Sequence, residues 1–85
     1  MKHATATALD RIEPLLTRLR LLPLKEKSRG VFYLKSKAFL HFHEDPAGLF
    51  ADIRDVSGQD FDRFQVDKGG GAEALVEAAR SRSAS

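Results

Sequence analysis

No cysteine occurs anywhere in the 85 residues, which removes disulfide staples, thiol nucleophiles and thiolate zinc sites from consideration. Chains this short often need such a staple, so a single apolar core has to hold the fold unaided. There is no run of about 18 apolar residues of the kind that crosses a bilayer. The opening Lys2-His3-Ala4-Thr5 lacks the apolar stretch of a secretory leader, and the expected compartment is the cytoplasm. Catalytic patterns are missing too: there is no nucleophile elbow and no phosphate-cradling loop, and a chain of this size has little room for a deep cleft. Gly69-Gly70-Gly71 reads as a flexible break more readily than as an anion cradle. The expectation is a single-domain, non-enzymatic protein over residues 1–85, with no cofactor.

Excess charge of one sign is slight, at +2, and does not by itself imply nucleic acid. Its distribution is uneven. Lys25, Lys27, Arg29, Lys35 and Lys37 crowd one segment against Glu26 alone. From Glu44 to Asp67 the acids Glu44, Asp45, Asp52, Asp55, Asp60, Asp62 and Asp67 outnumber Arg54 and Arg63.

What is present points to an α+β fold in two layers: an N-terminal helix, a three- to four-stranded antiparallel meander and a C-terminal helix. Leu9, Ile12, Leu16 and Leu19 recur at helical spacing, with Thr7 or Asp10 as the cap. Pro14 predicts a kink near residues 10–14 or a helix start close to it, and Pro23 closes the segment. Val31-Phe32-Tyr33-Leu34 and Ala38 to His43 flank Lys35-Ser36-Lys37 as a hairpin. After the Asp45-Pro46-Ala47-Gly48 turn comes Leu49 to Ile53, with Phe61 to Val66 a weaker fourth strand. Residues 68–71 are a glycine-rich break, Ala72 to about Arg82 a helix, and residues 1–6 and 81–85 are expected to fray.

Alternation sets the register, because a slip of one residue exchanges the two faces of a strand. Pairing Leu40 with Ile53, His41 with Asp52 and Phe42 with Ala51 puts Ala38, Leu40, Phe42, Leu49, Ala51 and Ile53 on one core face. A two-residue loop in the first hairpin adds Val31 and Tyr33. The opposite face then collects Phe32, Leu34, Phe39 and Phe50. So contiguous an apolar patch needs a cover, and a homodimer or a protein partner is the first expectation.

His41-Phe42-His43 projects two imidazoles from one face of a strand, with Asp52 beside them, which is a possible metal-ligand geometry. The remaining histidine, His3, lies far away near a terminus. The preferred expectation is therefore a structural pairing of His41 with Asp52 and no bound metal, with His41, His43 and Asp52 as the candidates should one bind. The basic segment supplies the alternative function: Lys25, Lys27, Arg29, Lys35 and Lys37, interleaved with aromatics, as contacts to nucleic acid.

The order Leu22-Pro23, Glu26-Lys27, Gly30-Val31-Phe32-Tyr33, Lys37-Ala38-Phe39 resembles small bacterial proteins of the MmcQ/YjbR type. The resemblance covers about the first half of the chain. It implies an α+β fold in which a helix leads through a Leu-Pro segment into a hairpin of aromatic strands, and a proposed binding of DNA, with no catalytic set to carry over. After His43 the chain departs from that pattern, being shorter and ending in the glycine break and one helix.

Overall fold

Thr5 starts the first helix: its hydroxyl accepts a hydrogen bond from the amide of Ala8 at 3.3 Å, so the cap lies upstream of both Thr7 and Asp10. In the computed structural model, which describes residues 2–84, helix α1 spans Ala6–Arg11 and α2 spans Glu13–Leu19. The break at Ile12, with φ −118° and ψ 23°, answers the expectation from Pro14. A proline costs nothing in the first turn of a helix, where its missing amide would have no partner, and Pro14 occupies that turn of α2. Leu9, Ile12, Leu16 and Leu19 are all buried.

The strands are β1 Lys2–His3, β2 Lys25–Ser28, β3 Val31–Leu34, β4 Lys37–Asp45, β5 Gly48–Arg54 and β6 Phe61–Gln65. They form one antiparallel sheet in the order β2-β3-β4-β5-β6, with β1 paired to the far end of β4. Helix α3, Gly71–Ser83, closes the fold. Gly71 admits no other residue without a shift of the chain, because an added Cβ would stand 1.6 Å from the carbonyl oxygen of Gln65. The helices share one core with Leu40, Phe42, Leu49, Ala51 and Ile53, which leaves the other side of the sheet without a helical cover.

Two short strands were not expected from the sequence. Lys2–His3 pairs with Glu44 and His43, so this segment is held where fraying was expected. Lys25–Ser28 forms the edge strand beside β3. At the other end α3 runs on through Ser83, whose side is buried; Met1 and Ser85 lie outside the described residues.

The central hairpin has the expected register: Leu40 faces Ile53, His41 faces Asp52 and Phe42 faces Ala51. The first hairpin does not. Leu34 faces Lys37 and Tyr33 faces Ala38, but Phe32 faces Leu40, so Phe39 is an extra residue on β4. A bulge of this kind shifts all later pairs by one and exchanges the faces of the partner strand. Phe32 therefore enters the core at 1% exposure, and Phe39 joins it. Val31 and Tyr33, expected inside, are only half-buried.

The bulge fixes the sign of a simple comparison. Phe32→Ala opens a cavity in the core and is expected to cost about 3–5 kcal/mol. Tyr33→Ala, which gives up a contact with the Lys27 ammonium 5.1 Å above its ring, is expected to cost about 1 kcal/mol or less. Urea unfolding of the two variants measures both, and a larger loss for Tyr33→Ala would mean that the hairpin faces the other way.

Candidate functional site: the uncovered sheet face

Directly opposed residues of a sheet share a face, and the pairings assemble the uncovered one strand by strand. His3 faces His43, Val31 faces His41, His41 faces Asp52, and Asp52 faces Arg63. His43 faces Phe50, Arg54 faces Phe61, and Lys25 faces Tyr33. Aromatic, imidazole and cationic groups thus line one surface, with Asp52 at its centre and, by the same alternation on β4, Asp45 toward its end.

At its centre Asp52, 8% exposed, accepts two hydrogen bonds from Arg63, Nε to Oδ1 at 2.8 Å and Nη2 to Oδ2 at 3.0 Å. These bonds, followed by the positive charge of Arg63, hold the carboxyl below its ordinary range against the opposing effect of burial. His43 Nε2 lies 3.2 Å and His41 Nε2 4.0 Å from Oδ2. The expected neighbourhood of His41 and Asp52 is present, yet His43 on the diagonal comes closer. Burial, and then the positive charge that His43 would carry, lower the pKa of His41; Asp52 works against them.

The fold also brings in His3. Its ring stacks on that of His43 at 5.4 Å between centroids and stands 6.2 Å from that of His41, so the three histidines of the chain meet. Phe61 abuts His41 edge-on at 5.3 Å and carries the Arg54 guanidinium 4.7 Å above its ring. Phe61 is 40% exposed.

Of the residues expected to form an apolar docking face, Phe32 and Phe39 are in the core, Leu34 packs against the core, and Phe50 alone shares this surface. The contiguous phenylalanine patch is therefore not formed, and the Phe39 bulge is the reason. Among the basic candidates, Arg29 is taken up by Asp10 and Glu13 at 2.8 Å each. Lys25, Lys27, Lys35 and Lys37 are exposed. A cleft of about 690 Å³ lies away from the histidines, between Leu34–Phe39, the Arg54–Gln59 loop and Ser81–Arg82. It is bordered by Leu34 and Phe39 of the core side and by the end of α3, and it shares Arg54 with the open face. No helix among the described residues is long and apolar enough to cross a membrane.

Comparison of the chain with protein-family models, curated proteins and solved structures gives no match.

The pKa directions make stability depend on pH. A group whose folded pKa is depressed stabilises the fold above its unfolded pKa and loses that contribution as pH falls through its folded value. For His41 the loss begins near the ordinary histidine value of about 6.5 and runs to lower pH; for Asp52 it begins near the ordinary carboxylate value of about 4 and runs to lower pH. In the presence of a chelator, melting temperature is expected to fall on acidification from pH 7 to pH 5, and less steeply in His41→Gln. Equal slopes in the two proteins would contradict the assignment.

Proposed function

We propose that the protein binds single-stranded nucleic acid across the uncovered sheet face. The observation that carries this reading is the mixture on that face: half-exposed aromatic rings, Tyr33 and Phe61, each paired with a cation, Lys27 and Arg54. Bases stack on aromatic rings irrespective of sequence while lysine and arginine follow the phosphates, and an open sheet is a suitable platform for both. Lys25 and Lys27 on the edge strand extend the cationic track along one border of the face and Lys35 stands in the hairpin turn, while Lys37, opposite Leu34, belongs to the other side of the sheet. The segment that carries the MmcQ/YjbR resemblance, Leu22 to Phe39, contributes Lys25, Lys27 and Tyr33 to it. Duplex recognition is less well served, because the helical Arg18, Arg80 and Arg82 are each engaged by a carboxylate, Glu73, Glu77 and Asp62.

A second reading, self-association through the same face, draws on the exposed Phe61 and on the half-buried Val31, Tyr33 and Phe50. Its weakness is electrostatic: Lys25, Lys27, Arg54 and Arg63 would face a second copy of themselves.

Fluorescence anisotropy with labelled oligonucleotides of about a dozen residues separates the two. Contacts to about four phosphates would give a slope of about −3 in log affinity against log salt concentration. Lys25→Glu with Lys27→Glu is expected to flatten that slope. Phe61→Ala is expected to weaken binding about tenfold, the equivalent of about 1.4 kcal/mol of stacking. Absence of binding at low salt, together with a solution mass of two chains, would replace this reading with self-association.

A further inference from the structure

The imidazoles and Asp52 occupy a part of the open face that contact with nucleic acid does not require. One donor atom from each of His41, His43 and Asp52 lies within 4.8 Å of the others. A single ion with bonds of about 2.0–2.2 Å would draw three such atoms together through small side-chain movements. The backbone holds the set in place, since His41 and His43 alternate on β4, Asp52 stands across from His41 on β5, and His3 stands across from His43 on β1.

A second observation is independent of that spacing. Nδ1 of His43 is buried with no hydrogen-bond partner, whereas buried polar atoms nearly always have one. The ring thus offers a buried nitrogen with no partner in addition to the Nε2 that stands 3.2 Å from Asp52 Oδ2, and an imidazole nitrogen without a partner is available to a metal. Arg63 does not close the site. Its side chain is 52% exposed; an ion at Oδ2, 3.2 Å from His43 Nε2, would take the place of the 3.0 Å bond from Nη2, while Nε keeps its 2.8 Å bond to Oδ1.

We propose that His41, His43 and Asp52, completed by His3 from the N-terminal strand, form a binding site for a divalent transition metal of the zinc class. Nitrogen donors with one carboxylate and no thiolate suit zinc, nickel or copper and not calcium or magnesium, which require oxygen. His3 would close the set and tie the N-terminal strand to the sheet, so the ion would stabilise that edge of the fold. The proposal does not rest on the nucleic-acid reading, and its test contains no nucleic acid.

The test is a titration of the chelator-treated full chain with zinc chloride. One equivalent is expected to bind, to shift the side-chain nitrogen resonances of His41 and His43 together, and to raise the melting temperature. His43→Gln and His3→Gln are each expected to weaken binding at least about tenfold. Because His43→Gln could disturb the sheet, the spectra of the unaltered protein decide the matter on their own. Zinc that leaves both imidazoles unshifted overturns the site, as does magnesium that shifts them equally. Full affinity in a folded His3→Gln variant overturns the four-donor assignment.

Discussion

The pairing of β4 with β5 is the constraint on which the rest of this structure depends. It is set by a short turn: the Asp45 side chain accepts a hydrogen bond from the amide of Ala47 at 2.7 Å, and Gly48 takes φ +141° opposite Asp45. A Cβ at Gly48 would meet Gln65 Nε2 at 2.6 Å, so the conformation and the close approach of β6 both favour glycine. From this one turn, alternation sends Leu40, Phe42, Leu49, Ala51 and Ile53 toward the helices and His41, His43, Phe50 and Asp52 away from them. The core and the candidate site are two consequences of a single register.

The sheet's two sides are kept distinct by different forces. On the helical side, apolar burial dominates, and ion pairs only clasp its border: Arg20 with Glu13 and Glu26 at 2.6 Å each, and Arg29 with Asp10 and Glu13. These pairs join α1 and α2 to the β2–β3 hairpin at an exposed surface, where such contacts contribute little individually. On the open side a carboxylate with little access to water is compensated by one arginine and two imidazoles. A polar cluster of this sort is a weak contributor to stability. On a sheet face without a helical cover, such a cluster accords with the proposed binding surface.

How much of this was legible in the sequence can be judged residue by residue. The proximity of His41 and Asp52 follows from parity across the Asp45–Gly48 turn, and the position of Pro14 gave the break between the first two helices. The faces of the first hairpin were not legible, because Val31-Phe32-Tyr33-Leu34 is apolar throughout and carries no alternation. One signal was present in the partner strand: Ala38-Phe39-Leu40 places adjacent apolar residues where a single strand face would be expected to alternate, as a bulge does. Lys25-Glu26-Lys27-Ser28 carries no strand signal, because an edge strand exposed on its outer side needs no apolar pattern. His3 was unreadable for another reason, since a strand of two residues is specified by its partner and not by its own sequence.

The central claim is that the Phe39 bulge and the β4–β5 register divide the sheet into a buried apolar face and an open face of histidine, aromatic and cationic groups. Cross-strand proton contacts in the NMR spectrum of the purified protein test it directly. Contacts of Phe32 with Leu40 and of His41 with Asp52 are expected, with the Tyr33 ring accessible to a soluble paramagnetic probe. Contacts of Phe32 with Phe39 and of Val31 with Leu40, with Tyr33 protected, would mean an unbulged hairpin and would contradict the division on which the proposed binding face is built.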